Sequence, residues 1–191
     1  MPVVDDVAEI GGFVGQTPAV AHIAAQIKRV AASPVPVLIL GETGTGKELC
    51  AAALARLSGR KPYVAVNCAT FSDTLADSEL FGYDRGAFTG AYKDHAGLVA
   101  EANGGILFLD ELAEATLPVQ AKLLRALESG EYRKVGGTKT QRSDFRLLAA
   151  TNGDPDRLIA EGKLRADLLY RLGAVRIVLP RATCRMVATI T

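Results

Sequence analysis

The chain has no tryptophan, three cysteines and two histidines among 191 residues, and almost no charge surplus: 22 basic side chains against 21 acidic ones, a formal net charge of +1. Each shortage closes a class. Cys50, Cys68 and Cys184 are odd in number, far apart and without a C-x-x-C pair, so neither a disulfide framework nor a zinc site is indicated, and a reducing cytoplasm fits. Near-zero net charge removes the argument for an autonomous nucleic-acid binder, which shows a basic stripe and a high pI. No apolar run approaches the roughly 20 residues that span a bilayer, and no basic-then-apolar leader opens the chain. The expectation is a soluble, cytoplasmic protein with no membrane association and no direct DNA contact. Its length suits one domain with a full hydrophobic core, and 49% hydrophobic with 23% charged residues is ordinary globular composition.

What is present is an alternation of short apolar runs and helical patterns. After Gly15, Thr17 can cap a helix with Pro18 in its first turn, and Val20, Ile23, Ile27 and Val30 recur on one face. Val35 to Leu40, Tyr63 to Val66, Ile106 to Asp110, Phe145 to Ala150 and Val175 to Leu179 read as buried strands, and Val119 to Ser129 reads as a helix between two of them. This predicts an α/β fold, a parallel five-stranded sheet covered by helices. Two Gly-rich, polar segments, 82–97 and 130–143, read as exposed excursions, and loops this long in a compact domain are usually functional.

Gly41-Glu42-Thr43-Gly44-Thr45-Gly46-Lys47-Glu48 follows a predicted strand and opens a predicted helix, the context in which G-x-x-x-x-G-K works as a phosphate loop. Glycines let the backbone curl into a nest of N–H groups, the helix N-terminus adds partial positive charge, and Lys47 neutralises β- and γ-phosphates. Glu48 stands where the general motif has a Ser or Thr ligand for magnesium. Asp110 ends a continuous apolar strand, where ligands of open α/β sheets bind, and can hold Mg2+. Glu111 can polarise the water that attacks the γ-phosphate of ATP.

Gly86-Ala87-Phe88-Thr89-Gly90-Ala91 adds nothing to that chemistry. Phe88, flanked by glycines within a polar excursion, is placed to be offered to a partner, since exposed aromatics are favoured contact anchors. His95, close by and alone, reads as a solvated loop histidine.

Together with Ser78-Glu79-Leu80-Phe81-Gly82, Asn67-Cys68-Ala69, Ala150-Thr151-Asn152 and the stretch Leu164 to Leu172, these motifs resemble the central AAA+ ATPase domain of bacterial sigma-54-dependent transcription activators, the enhancer-binding proteins of the NtrC family. In that family the phosphate loop ends Gly-Lys-Glu, which accounts for Glu48. The resemblance covers 13–180, with 1–12 as a lead-in. It implies a P-loop NTPase of AAA+ type that binds ATP and Mg2+, assembles as a hexameric ring, and remodels the closed complex of sigma-54 and RNA polymerase. It further implies that Val14 and Gly15 line the adenine pocket, that Asn67 restrains Glu111, that Thr151 and Asn152 sense the γ-phosphate, and that Arg165 and Arg171 act as arginine fingers in a neighbouring subunit. The segment 86–91, with that around Val135, would contact sigma-54. Without the resemblance, Asn67 as a turn cap, Thr151 and Asn152 as a strand end, and either arginine as a surface ion-pair partner are the readings favoured. After Pro180 the resemblance stops. The helical lid that follows in the family is expected to be absent, with 181–191 an unrelated tail of a fragment or early-terminated product, in which case a nucleotide-binding and sigma-54-interaction module without turnover is the alternative.

Overall fold

Pro36 has no N–H to give to a ladder, and the first strand of the main sheet accordingly starts one residue later, β3 at Val37–Leu40 rather than at Val35. The computed structural model describes residues 8–10, 13–15, 18–72, 75–180 and 187–188. Two short strands, β1 (Ala8–Ile10) and β2 (Phe13–Gly15), pair antiparallel ahead of helix α1 (Pro18–Ala31). Thr17, expected as the cap of α1, lies outside the described residues. After β3 come α2 (Lys47–Ser58), β4 (Tyr63–Asn67), α3 (Ala76–Phe81), α4 (Leu98–Glu101) and β5 (Ile106–Asp110). Helix α5 (Leu117–Ser129), strands β6 (Glu131–Arg133) and β7 (Thr140–Arg142), β8 (Arg146–Thr151), α6 (Pro155–Ala160), α7 (Ala166–Leu172) and β9 (Arg176–Val178) complete the main body. Val187–Ala188, β10, pairs with β2; the rest of 181–191 lies outside the described residues.

Five strands form the expected parallel sheet in the order β4-β5-β8-β3-β9. Their uninterrupted apolarity has a physical cause, because both faces are buried. Leu38, Leu107, Leu109, Leu147 and Ala149 point to the side packed by α5 and α7, whereas Val37, Ile39, Ile106, Phe108, Leu148 and Ala150 point to the side packed by α1 and α2. Parallel pairing brings the carboxyl ends of β3, β4, β5 and β8 to one edge, which decides where the site can be. Among the described residues no helix is long and apolar enough to cross a membrane.

Arg146 opens β8 and is 1% exposed. Its guanidinium donates to the carbonyls of Val35 (3.0 Å), Ala31 (2.7 Å) and Val30 (2.9 Å), so a cation closes the C-terminal end of α1 where carbonyls lack helical partners. Burial, with Arg60 nearby, pulls its pKa down.

The two excursions differ from the expectation of plain loops. The segment 130–143 contains the β6–β7 hairpin, with Arg142 on Glu131 at 2.7 Å. The segment 82–97 is stitched at its base, where Tyr83 bridges both His95 and Val135. His95 is not simply solvated: its ring lies 5.3 Å from that of Tyr83, and Nε2 is buried, 3.7 Å from the Glu79 carboxylate.

Candidate functional site

Between β3 and α2 the chain turns through Gly44 (φ 83°) and Gly46 (φ 89°), left-handed positions that cost glycine little. The turn is drawn tight by Thr45, whose hydroxyl donates to Glu42 O at 2.8 Å. Gly41 is required by closeness rather than by φ: a Cβ there would lie 2.5 Å from Thr45 Oγ1. Lys47, 6% exposed, points its ammonium back into the loop, donating to Gly41 O (3.1 Å) and Glu42 O (3.4 Å). Its third neighbour is the Glu111 carboxylate at 3.5 Å. A buried ammonium inside a curl of backbone is the donor set that a polyphosphate requires.

Asp110 ends β5 and its Oδ1 accepts the Glu111 N–H at 3.0 Å. Among the described residues Glu111 is the single non-glycine at positive φ (49°), a backbone state that costs a side-chain-bearing residue of order 1 kcal/mol or more. That turn carries the Glu111 side chain round to Lys47. Beside Asp110 a cavity of about 130 Å³ is lined by Glu48, Ala65, Val66, Asn67 and Phe108. An oxygen-only donor set next to this glycine-rich turn fits Mg2+, which keeps waters and phosphate oxygens for most of its shell. The same carboxylates are felt by neighbours. Burial chiefly, then Glu48 and Asp110, pushes the Tyr63 phenol up, and burial with Asp110, Glu111 and Glu114 pushes the Cys68 thiol up to about 12.

Thr151, buried at the end of β8, stands beside Leu40, and its carbonyl accepts the Gly41 N–H at 3.3 Å, so the strand end touches the start of the phosphate loop. Asn152 follows on the surface. Asn67 lies opposite Asp110 across β4 and β5, but its Oδ1 accepts from Ala69 N–H at 2.8 Å. In this state it caps a turn, while Glu111 is engaged by Lys47. Val14 and Gly15 lie in β2, beside α1 and α2.

Arg165 and Arg171 are not brought to this cluster by their own chain. Arg165 precedes α7 and is clasped by Asp167 through Nε (3.0 Å) and Nη2 (2.6 Å). Arg171, exposed on α7, donates to Leu127 O at 3.3 Å. The hexapeptide has contacts of its own. Its ends close through Gly86 N–H to Ala91 O at 2.8 Å, and Phe88, 41% exposed, packs edge-on against Tyr83 at 5.0 Å. Tyr83 was missed from sequence, because an aromatic beside a Gly-rich loop carries no mark of what it supports. Gln120 was missed too, although an amide on the apolar face of α5 is a visible anomaly.

Residues 13–178 match the sigma-54 interaction domain family. The chain belongs to this family. Its relatives are sigma-54-dependent activators of the NtrC family. They include the Nif-specific regulatory protein of Rhodobacter capsulatus, 51% identical over 173 residues, 90% of this chain and 30% of that one. The corresponding protein of Azotobacter vinelandii is 49% identical over 169 residues, covering 87% and 32%. The transcriptional regulator VasH of Vibrio cholerae is 49% identical over 176 residues, covering 91% and 33%. The chain thus spans about a third of the length of these relatives. Among solved structures, NtrX from Brucella abortus in complex with ADP superposes with a TM-score of 0.81 at 37% identity, over 87% of this chain and 36% of that one. The same protein in complex with ATP gives 0.80 at 37% identity, with the same coverage. Hsp104, at 22% identity and a TM-score of 0.60 over 88% of this chain and 34% of that one, shares the fold. The sigma-54 interaction domain described here therefore has the AAA+ architecture.

Proposed function

We propose that this domain binds and hydrolyses ATP, and that as a hexameric ring in the cytoplasm it uses the hydrolysis to remodel the closed complex of sigma-54 and RNA polymerase. The observation that carries the reading is convergence. Lys47, the adjacent Asp110 and Glu111, and Thr151, from three segments of sequence, meet at one edge of the sheet around the Gly41–Gly46 curl. The Brucella abortus NtrX structures in complex with ADP and ATP support a nucleotide as the ligand.

In this reading the loop N–H groups hold the phosphates, and the Lys47 ammonium exchanges the Gly41 and Glu42 carbonyls for phosphate oxygens. Glu111, then released, orients the attacking water and takes up its proton. Mg2+, held by Asp110 with Glu48 at its side, would neutralise charge on the β- and γ-phosphates. Thr151, joined to Gly41 through the backbone, and Asn152 read whether the γ-phosphate is present. Val14 and Gly15 border the adenine. Asn67 takes Glu111 in an alternative state, leaving its turn to do so. Arg165 and Arg171 serve the neighbour's site, where a fixed guanidinium best stabilises charge spread over phosphoryl oxygens. To do so Arg165 leaves Asp167, an ion pair that solvent weakens because both side chains are partly exposed. Phe88 leaves Tyr83 for sigma-54, the loop 86–91, exposed at Gly86 and from Phe88 to Gly90, serving as the contact.

The test is phosphate release per subunit against protein concentration. Shared sites predict a rise as rings form. Negligible release with ATP still bound would overturn turnover. It would leave a nucleotide-binding module that contacts sigma-54, the reading favoured if Arg165 stays on Asp167.

A further inference from the structure

Helix α5 buries one side chain that its apolar face does not explain. Gln120 is 0% exposed, in line with Val119, Leu123 and Ala126. Leucine would fill the same space, so packing alone does not call for an amide. What the amide does is specific. Nε2 donates to Ala115 O (2.8 Å) and to Lys163 O (2.8 Å), and Oε1 accepts the Arg165 N–H (3.0 Å).

Both amide protons and one oxygen lone pair are thus committed to backbone groups on two separate segments. Ala115 ends the 3-10 turn, Leu112–Glu114, that starts at Glu111. Lys163 to Arg165 is the link between α6 and α7, pinned at its middle by buried Leu164. The carboxamide therefore fixes the backbone from which the Arg165 side chain departs, and ties it to the segment carrying Glu111.

We propose that Gln120 is a positioning residue for Arg165: it sets the reach of that guanidinium into the neighbouring subunit and links it to the Glu111 turn of its own subunit. This rests on the reading of Arg165 as acting on a neighbour's nucleotide. The side chain of Arg165 is long and partly exposed, so its reach depends on where the backbone holds its root, and displacement by ~1 Å of a group that must meet a transition state costs about a hundredfold in rate.

The experiment compares Gln120→Leu, Arg165→Ala and the parent chain. For Gln120→Leu the expected kcat is about a hundredfold lower with KM for ATP within about threefold, because the nucleotide's own loop is untouched. Hydrogen exchange at the Arg165 amide should quicken at least about tenfold, while the amides of β8 keep their protection. Mixing Gln120→Leu with Glu111→Gln subunits should restore turnover, since some interfaces then join an intact Glu111 to a correctly seated Arg165. An unchanged kcat in Gln120→Leu beside a crippled Arg165→Ala would overturn the role of Gln120. An unchanged kcat in Arg165→Ala would instead overturn the reading of Arg165 on which it rests. The exchange measurement needs no turnover, and an unchanged rate at the Arg165 amide also overturns the proposal.

Should Gln120→Leu fail to fold, Gln120→Glu decides. Buried there, a protonated carboxyl imitates the amide by donating to one carbonyl, whereas the carboxylate has no proton for the Ala115 and Lys163 carbonyls and repels both, loosening the link that carries the Arg165 N–H. Its Arg165 protection relative to the parent should rise as pH falls from about 8 to about 6, and a flat ratio would overturn the proposal.

Discussion

Replacing Lys47 with alanine separates the charge of the phosphate loop from its shape. The shape is held by Gly44 and Gly46 at positive φ and by the Thr45 hydroxyl on Glu42 O, none of which involves the lysine. The charge is one ammonium, 6% exposed, within 3.1 to 3.5 Å of Gly41 O, Glu42 O and Glu111. On ATP that ammonium would make charge-assisted hydrogen bonds to the β- and γ-phosphates, about 1.5–3 kcal/mol each. Two such bonds make about 3–6 kcal/mol, or roughly 10²- to 10⁴-fold in Kd at 1.4 kcal/mol per decade. Calorimetric titration of parent and variant with ATP measures this directly, with adenosine as the control ligand that carries no phosphate. The expected result is a loss confined to ATP, with the far-ultraviolet circular dichroism unchanged. ATP affinity within about threefold of the parent, in a folded variant, would refute the placement of the phosphates against Lys47.

Glu111→Gln keeps the shape of the turn and removes the base, so ATP binding should persist while kcat falls about 10²- to 10⁴-fold in a phosphate-release assay; parental turnover would assign the water to another group. Phe88→Ala deletes the edge-on partner of Tyr83 and touches no phosphate group, so ATP affinity should hold while sigma-54 capture, measured by pull-down with a transition-state mimic, weakens about thirtyfold or more. Equal capture would remove Phe88 from the contact. Burial pushes the thiols of Cys50 and Cys68 up to about 12 from an ordinary value of 9.0. A folded pKa above the unfolded one means that the stability involved is whole below about pH 9 and is lost as pH rises toward about 12. Urea midpoints should therefore fall above about pH 9 in a Cys184→Ser background, and a disulfide reagent at about pH 8 should modify Cys50 and Cys68 only as fast as the domain opens.

The sheet was legible because burial on both faces writes itself as continuous apolar runs. Ile106 to Asp110 was read to the residue, and the errors at Val35 and at Phe145 were of one or two positions, set by the missing N–H of Pro36 and by the ladder partner of Arg146. The tight turn from Gly41 to Lys47 was legible for a related reason: glycine spacing followed by lysine is a local backbone requirement, and local requirements survive in one dimension. The β6–β7 hairpin was not, since Thr- and charge-rich strands that lie on the surface have no apolar alternation to betray them.

Sequence by itself determined the α/β alternation, the glycine-rich turn before α2, the acidic pair at a strand end and the family to which these belong, because each depends on residue type at short range. Tertiary structure alone decided which groups face one another. The meeting of Lys47 with Glu111 and the hold of Gln120 on Arg165 depend on strand order, on a backbone turn of positive φ at Glu111 and on how helices pack across the sheet. For the contacts that join distant segments, pairing is set by the free energy of the whole packed domain, and neither partner's neighbours along the chain record it.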